Sequence, residues 1–420
     1  MNDDTMRWFR QARYGLFIHW GLYAIPAGNW KGRTYHYGTE WLIKNAQIPV
    51  REYARLAEQF NPIQFDAEEW MRAAAEDFGM KYVVFTAKHS DGFAMYDSAA
   101  SPFNSMHTPF GTDAVRELAE ACRRHGMTFC LYYSQLQDWT DPNAYGNTWD
   151  FGPEENKDFR IYMDGKVKPQ LHELLTQYGP IGLIWFDTPY EMPEPYCREL
   201  VDYVRSLQPD CLVNGRVGYG LGDYREMSDN SIPARAFHGD WETPMTLNDT
   251  WGYRREDENW KSPKHVVTML VNVAGKGGNL LLNIGPDALG VIPPGSTEVL
   301  KTVGSWMKRN GKSIYGTQPA PDFPYQLDFG GFTYHAGHKR LYMHILKKLD
   351  APFEVRVTGL KTPIRSARLL ATGEAVQFSQ TYETARDEHR LRVWLPSAQP
   401  DTLDTVIALD LDGQAEVQTL

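Results

Sequence analysis

Short apolar runs rich in β-branched and aromatic residues alternate with longer amphipathic segments through the first three quarters of this 420-residue chain. Parallel strands that are connected by helices produce this alternation, so the sequence predicts an α/β fold. Six of the apolar runs are flanked by turn residues, and we interpret these six runs as strands. They lie at residues 14–20, 81–89, 127–134, 181–187, 211–216 and 279–285.

Amphipathic helices are predicted between these strands. One begins after Asp66 as its N-cap and ends at Gly79, another follows Thr112, and a third starts near Pro195. The pattern does not define where strands lie near residues 235–241 or between residues 45 and 80. The number of strand–helix units is therefore six to eight. We therefore predict a (β/α)8-like, TIM-type barrel and favour it over an open doubly wound sheet.

A proline-rich segment, TQPAPDFPYQ, ends the α/β pattern at residues 317–326. Beyond it, short β-type runs alternate with turn residues and show little helical periodicity, which is typical of an antiparallel β-sandwich. We therefore expect a (β/α)8-like barrel domain over residues 1–318 and a C-terminal β-sandwich domain over residues 325–420.

The charge balance disfavours two classes of partner. Lys and Arg number 43 against 53 Asp and Glu, a formal net charge of −10, whereas nucleic acid and anionic membranes attract clustered positive charge. No run approaches about 18 consecutive apolar residues, and the start of the chain lacks an apolar signal segment, so we expect a cytoplasmic protein.

The four cysteines lack the spacing of zinc or disulfide frameworks and are expected to be reduced, buried thiols.

Polar and aromatic side chains occupy the C-terminal ends of five predicted strands. In strand order they are His19 with Trp20, His89 with Asp91, Tyr133 with Asp138 and Trp139, Trp185 with Asp187, and Arg216. A single His or Asp at a strand end is usually a cap or a satisfied core group. Five successive occurrences favour a functional site, because strand ends of a barrel meet at the face that carries catalytic groups.

Asp187 is the sharpest case, since the buried-strand pattern IGLIWFD stops at this carboxylate. It is either a nucleophile or general base held by a rigid strand, or an Asx turn that opens the next loop. A second carboxylate would favour the first interpretation, and Glu226, Asp229 and Glu242 are the candidates. Two carboxyl groups that flank a glycosidic bond hydrolyse it, and they lie about 5 to 5.5 Å apart in retaining enzymes. The aromatic content of 13% suits a sugar-binding cleft and a large aromatic core equally well.

Seven segments between about residues 7 and 316 resemble the signature blocks of the glycoside hydrolase family 29 α-L-fucosidases. They are RWFRQARYGLFIHWGLYA, GTEWLIKN, YVVFTAKHSDGFAMYDS, TDAVRELAEACRRHGMTFCLYYSQLQDW, GLIWFD, WETPMTLNDTWGY and GKGGNLLLNIGPDALGVIPP. The resemblance implies a (β/α)8-like barrel followed by a β-sandwich, a fucosylated oligosaccharide or glycoside as substrate, no metal or other cofactor, and a retaining double displacement.

The resemblance also implies roles for single residues. Asp187 matches the nucleophile. The residues expected to bind the sugar are His19, the adjoining Trp20, Glu40, Trp41, His89, Tyr133, Trp185 and Arg216. Glu242 is the first choice for the general acid/base because its Trp-Glu pair lies in a matched block. Asp229, where some relatives have a catalytic glutamate, is the second choice, and the nearby Glu226 is the third.

Two positions depart from the family pattern. Ser90 stands where the family usually has a second His before Asp-Gly-Phe, and Thr188 stands where Gly usually follows the nucleophile. The first change removes an imidazole from the expected site. The second adds a side chain that reduces the space in the loop after Asp187. Fucose, or a related sugar with the same hydroxyl arrangement, is therefore the expected substrate.

Three alternatives compete with this interpretation. The run GKGGN at residues 275–279 resembles a phosphate loop, but it precedes a strand where a Walker loop would precede a helix. His19, His89, Asp91 and Asp187 could assemble a metal-dependent hydrolase on the barrel, which predicts inactivation by chelators. A non-catalytic sugar-binding protein would bind its ligand without turnover.

Overall fold

The computed structural model describes residues 3–236, 238–351, 353–395 and 401–419. The α-helices of the described residues are α1 (Asp3–Ala12), α2 (Leu42–Asn45), α3 (Val50–Tyr53), α4 (Ala67–Arg72), α5 (Ala114–Arg124), α6 (Phe159–Tyr162), α7 (Lys168–Gln177), α8 (Glu194–Leu207), α9 (Pro263–Gly275) and α10 (Pro294–Asn310). A π-helical turn at Ala73–Asp77 extends α4, and another at Met163–Val167 joins α6 to α7.

The first ten strands are β1 (Tyr14–Ile18), β2 (Asn29–Trp30), β3 (Arg33–Thr34), β4 (Tyr82–Lys88), β5 (Thr128–Tyr133), β6 (Leu183–Phe186), β7 (Leu212–Val213), β8 (Arg225–Glu226), β9 (Trp241–Thr246) and β10 (Asn279–Ile284). Apart from the β2–β3 hairpin they form one parallel sheet in the order β7-β6-β5-β4-β1-β10-β9-β8. An isolated parallel bridge between Asn214 and Tyr224 joins the two edges of the sheet. The predicted (β/α)8-like barrel is thereby confirmed.

All six strands predicted from the sequence occur, and β8 and β9 complete the barrel. The stretch between residues 45 and 80 holds helices α3 and α4. Asp66 accepts a hydrogen bond from the backbone N–H of Glu69, as expected of the N-cap of α4. Helix α5 is capped by Asp113, one residue after the position that the sequence pattern indicated.

Barrel strands such as β1, β4, β6 and β10 bury both of their faces, because alternate side chains enter two different apolar layers. Residues such as Phe17, Tyr132 and Trp185 belong to a cluster inside the barrel. Their strand neighbours, for example Leu16 and Tyr133, pack in the layer between the strands and the outer helices. Helix α1 contributes Met6, Phe9 and Ala12 to the interior cluster. The barrel interior is therefore a packed core.

The remaining strands are β11 (Gly330–His335), β12 (Arg340–Ile345), β13 (Glu354–Thr358), β14 (Ile364–Leu369), β15 (Gln377–Glu383), β16 (Glu388–Trp394) and β17 (Thr405–Leu411). They form two antiparallel sheets, with orders β11-β12-β17-β14 and β13-β16-β15, around a separate apolar cluster. This confirms the predicted β-sandwich, while the domain boundaries at residues 318 and 325 stay a prediction.

The sandwich contacts the barrel through a buried polar cluster. Trp306 of α10 donates a hydrogen bond to the backbone oxygen of Asp404, at 2.9 Å. The Asp404 carboxylate lies 2.6 Å from Nδ1 of His344.

All four cysteines are buried free thiols, as the sequence predicts. Within the described residues, no helix combines the length and apolar character that crossing a membrane requires.

Candidate active site

A cavity opens at the end of the barrel where the parallel strands finish. The residues that line it come from several strand ends and the loops that follow them: Phe17, His19, Glu40, Trp41, His89, Tyr132, Trp185, Asp187, Thr188, Arg216, Asp229 and Trp251. The structure therefore brings together most of the predicted site residues. This is the end of a barrel that carries catalytic groups in enzymes of this architecture.

Asp187 directly follows β6, and its carboxylate is held from two sides. One oxygen accepts a hydrogen bond from Nη1 of Arg216 at 2.8 Å, and the other accepts from the hydroxyl of Tyr132 at 3.0 Å. Its backbone N–H donates to the side-chain oxygen of Gln135 at 2.9 Å. The side chain is 14% exposed and lines the cavity. A carboxylate fixed in this way has a defined direction of attack on a bound ligand.

Arg216 links two carboxylates that line the cavity. Its Nη1 contacts Asp187, and its Nη2 donates to Asp229, whose side chain is 47% exposed. Burial lowers the pKa of the guanidinium, but the charges of Asp187 and Asp229 outweigh burial and hold that pKa above its ordinary value. One cation therefore stabilises an enclosed carboxylate and a solvent-accessible one at the same time.

Two buried imidazoles line the cavity in their neutral form. Burial lowers the pKa of His19 to about 4, and its Nδ1 lies 2.7 Å from the side-chain oxygen of Asn283. Burial also lowers the pKa of His89 well below the usual range, and its ring stacks on Tyr132 with 5.0 Å between centroids. Nδ1 of His89 has no hydrogen-bond partner among the described residues. Neutral imidazoles both donate and accept hydrogen bonds, which suits the recognition of hydroxyl groups.

Glu40 and Trp41 reach the cavity from the segment after the β2–β3 hairpin. The Glu40 carboxylate accepts a hydrogen bond from the backbone N–H of Gly252 at 3.1 Å, and burial raises its pKa. The ring of Trp41 meets Trp139 edge to face, with 5.0 Å between centroids. Trp41 thus presents a supported aromatic surface beside a carboxyl group, an arrangement suited to a sugar ring.

Trp20 and Tyr133, which were also expected to bind the sugar, do not line this cavity. The indole N–H of Trp20 donates to the backbone oxygen of Asp287 at 2.8 Å, and its ring packs against Phe65. The hydroxyl of Tyr133 donates to the side-chain oxygen of Gln170 on α7, at 2.8 Å. Both side chains belong to the outer apolar layer. For Tyr133 this follows from its place in β5, because successive residues of a strand point to opposite faces and Tyr132 points inward.

Phe17, Tyr132 and Trp251 line the cavity although the sequence did not single them out. For Tyr132, the signal was the run TFCLYYS, in which either of two adjacent tyrosines could face inward. A strand that is buried on both faces lacks the polar alternation that would distinguish them. Phe17 and Trp251 lie within segments that resemble family blocks, without a polar group to mark them.

Glu242, the first choice for the acid/base, lies inside the barrel rather than at its mouth. Its side chain is completely buried, with 0% exposure. It accepts hydrogen bonds from the indole N–H of Trp185 at 3.0 Å and from the hydroxyls of Tyr224, at 3.3 Å, and Tyr82. Burial raises the pKa of Glu242 to about 7. Glu226 pairs with Glu242 in the β8–β9 register, and burial raises its pKa well above the ordinary value.

The two departures from the family pattern have different surroundings. The hydroxyl of Ser90 is buried 2.9 Å from that of Ser134, in a contact away from the cavity. Thr188 lines the cavity and adopts a left-handed backbone conformation with φ of 45°. Its buried Oγ1 has no hydrogen-bond partner among the described residues. A β-branched residue rarely adopts this conformation, so the loop after Asp187 is locally strained.

The metal-dependent alternative finds no support in the donor groups of this site. Asp91, one of its four postulated ligands, accepts a hydrogen bond from the hydroxyl of Tyr53 at 2.8 Å. Over the described ranges, no group of three or more His, Cys, Asp or Glu side chains is placed to hold a metal ion.

The two adjacent tyrosines of β5 give a matched test of the site geometry. Replacing Tyr132 with Phe removes a hydrogen bond to the Asp187 carboxylate, and we expect kcat to fall by about tenfold to a hundredfold. Replacing Tyr133 with Phe removes only the bond to Gln170, so kcat should stay near that of the wild type while Tm falls. Steady-state kinetics and thermal unfolding measure both effects. An equal loss of kcat in the two variants would contradict the assignment of Tyr132 to the cavity.

Comparisons with known proteins agree with this arrangement. The family model described as alpha-L-fucosidase matches residues 1–312. The tissue alpha-L-fucosidase of Rattus norvegicus is 34% identical over 340 residues, which cover 74% of this chain and 70% of that protein. The crystal structure of alpha-L-fucosidase from Vibrio sp. strain EJY3 covers 99% of this chain and 74% of that chain, with 35% identity and a TM-score of 0.93.

A third similar protein was solved as a reaction intermediate. It is a GH29 alpha-L-fucosidase from Bacteroides thetaiotaomicron, in which a covalent intermediate was trapped with 2-fluoro-fucosyl fluoride and a Glu-to-Gln variant. The match has 30% identity and a TM-score of 0.89, and covers 98% of this chain and 97% of that chain.

Proposed function

Because this chain belongs to the alpha-L-fucosidase family of glycoside hydrolases, we propose that it releases terminal α-L-fucose from glycans by a retaining double displacement. The observation that carries this proposal is the Asp187 carboxylate, which lines the cavity between its two donors, Arg216 and Tyr132. The covalent intermediate of the similar Bacteroides protein supports a covalent route.

The proposed reaction has two steps at the anomeric carbon. In the first step an oxygen of Asp187 forms a bond to this carbon, the bond to the leaving oxygen breaks, and a general acid gives its proton to that oxygen. In the second step water attacks the same carbon, the conjugate base takes a proton from the water, and Asp187 leaves as a carboxylate. Two inversions produce fucose with the configuration of the substrate.

We propose Asp229 as the general acid/base, in place of Glu242. Of the three candidates, all of which the structure describes, Asp229 alone lines the cavity. It is also solvent accessible, so it can exchange its proton with water between the two steps. Glu242 is completely buried and already accepts three hydrogen bonds. Proton transfer requires direct hydrogen-bond contact with the leaving oxygen or contact through one water, which favours the residue at the mouth.

The sugar is proposed to bind through the remaining polar and aromatic groups. The neutral imidazoles of His19 and His89 and the carboxyl group of Glu40 are available for ring hydroxyls. The rings of Trp41 and Trp251 offer apolar surface to the face of the sugar that lacks hydroxyl groups. Fucose is the proposed sugar, and analogues with the same hydroxyl arrangement would make the same contacts.

A screen of nitrophenyl glycosides with and without EDTA tests this function. We expect release of nitrophenol from the α-L-fucoside at a rate that EDTA leaves unchanged, because the site offers acid-base and nucleophilic groups and the described part of the chain forms no metal-ligand set. Loss of activity in EDTA that added Zn²⁺ or Mn²⁺ restores would favour the metal-dependent alternative. Binding of the fucoside without release of nitrophenol would favour a sugar-binding protein.

A further inference from the structure

We propose that Glu242 is a positioning residue, which orients Trp185 and thereby aligns the two donors that hold Asp187. The inference rests on the proposed function, since it assigns Glu242 a role in the attack by Asp187. It concerns a carboxylate that the proposed chemistry does not use, buried below the cavity among aromatic side chains of the barrel interior.

The carboxylate of Glu242 accepts hydrogen bonds from side chains of the barrel interior. Its Oε1 accepts from the indole N–H of Trp185 at 3.0 Å and from Tyr224, and its Oε2 accepts from Tyr82. The three donors come from β4, β6 and the residue before β8, so the carboxylate ties separate parts of the barrel together. An indole carries a single donor, and this one is satisfied by Glu242.

Trp185 connects this carboxylate to both groups that hold Asp187. The guanidinium carbon of Arg216 lies 4.7 Å from the centre of the Trp185 ring system. The ring of Tyr132 stacks on the same indole, with 5.6 Å between centroids and 20° between planes. Arg216 and Tyr132 are the two side chains that donate to the Asp187 carboxylate. A rotation of the indole would therefore displace both donors together.

Stacking of flat rings specifies the plane of an indole more strictly than its rotation within that plane, and the directional hydrogen bond to Glu242 specifies that rotation for Trp185. Loss of this acceptor would leave a buried N–H unsatisfied and allow the ring to shift. Misplacement of reacting groups by about 1 Å costs on the order of a hundredfold in rate. Glu242 is thus expected to affect kcat through Trp185 without touching the substrate.

The test compares Glu242→Met, which removes the acceptor at similar length, with Glu242→Gln, which keeps one acceptor oxygen. We expect Glu242→Met to lower kcat by roughly tenfold to a hundredfold with little change in KM. The factor should be the same for an activated aryl fucoside and for a natural disaccharide, and azide should not restore the rate. Glu242→Gln should recover most of the activity. Tyr224→Phe is the matched control, because it removes another donor to the same carboxylate and leaves the Trp185 bond intact.

A double-mutant cycle tests whether the effect passes through Trp185. Trp185→Phe keeps an aromatic ring and removes the indole donor, so it should reduce kcat by a factor similar to that of Glu242→Met. This variant keeps the inference testable if Glu242→Met fails to fold. In that background Glu242→Gln and, where it folds, Glu242→Met should cost little more. The rate at which 2-fluoro-fucosyl fluoride labels each variant should fall in parallel with kcat, because labelling reports the attack by Asp187.

Three results would overturn the inference. The first is a loss in Glu242→Met that is confined to poor leaving groups and is restored by azide, since that is the behaviour of a general acid. The second is an undiminished loss in the Trp185→Phe background, which would mean that Glu242 acts by another route. The third is unchanged kcat in both Glu242→Met and Trp185→Phe. Covalent labelling of Asp187 in the wild-type protein is independent of all three, so failure of the proposed function would be recognised separately.

Discussion

Replacing Asp187 with alanine should lower turnover by on the order of 10⁴-fold or more on every fucoside, activated substrates included. The substitution removes the atom that attacks the anomeric carbon, and a better leaving group cannot replace it. Arg216 keeps Asp229 as a partner in this variant, so the fold and the cavity should persist. Initial rates on an aryl fucoside and on a disaccharide, with thermal unfolding as a control, measure the effect.

Azide gives this variant a distinctive signature. A small anion can enter the space that the carboxylate leaves and attack the α-fucoside directly, in one inversion, so the product should be the β-fucosyl azide. A residual rate within tenfold of the wild type on the activated substrate would contradict the role of Asp187. An azide product of retained configuration would do the same.

Replacing Asp229 with alanine should produce the second largest effect, and it should depend on the leaving group. General acid catalysis contributes about 10² to 10⁴ in rate when the leaving oxygen needs a proton. We therefore expect a loss in that range for a natural disaccharide and a much smaller loss for an activated aryl fucoside. Azide should accelerate the second step by attacking the fucosyl-enzyme, and this product should have the retained, α configuration.

The variants Glu226→Ala and Glu242→Ala are the controls for this assignment, because both carboxyl groups lie on the neighbouring strands β8 and β9. They should lack both the leaving-group dependence and the rescue by azide. If these signatures occur in Glu242→Ala and are missing in Asp229→Ala, the acid/base is Glu242 and the buried carboxylate gains access to the substrate during turnover.

Strands with a continuous apolar run were predictable from the sequence, and strands of polar or atypical composition were not. Strands such as β4 and β10 are buried along their whole length, and this burial requires the continuous apolar runs that mark them. Strand β8 comprises only Arg225 and Glu226, a polar pair without a strand pattern. Strand β9 contains Pro244, a residue that normally argues against a strand interior. Tertiary closure of the barrel, rather than local propensity, decides these two strands.

The site was predictable to the extent that polar groups mark strand ends. Asp187, His19 and His89 stand out because a charged or imidazole side chain interrupts an apolar run. Tyr132 and Tyr133 do not, since an inward and an outward tyrosine look alike in a strand that is buried on both faces. The face of such a strand is set by its register with its neighbours.

How deep a side chain lies within the barrel is a further property that the neighbouring sequence does not reveal. Glu242 lies in a segment that resembles a family block. In the fold it pairs with Glu226 across β8 and β9 and accepts hydrogen bonds from Tyr82, Trp185 and Tyr224. Asp229 lies in an irregular loop that lacks periodicity, and only the fold brings it to Arg216. Contacts that form only in the folded chain therefore support the proposal of Asp229 over Glu242 as the acid/base.

The most direct test of the central claim, that Asp187 forms a covalent fucosyl-enzyme, is mass spectrometry of the protein after reaction with 2-fluoro-fucosyl fluoride. The fluorine slows both steps by destabilising the oxocarbenium-like transition states, while the fluoride leaving group keeps the first step fast enough for the intermediate to accumulate. We expect one added fluorofucosyl group per chain, carried by the peptide that contains Asp187. A label on any other residue, or a first-formed product of inverted configuration in NMR spectra of the wild-type reaction, would contradict the account.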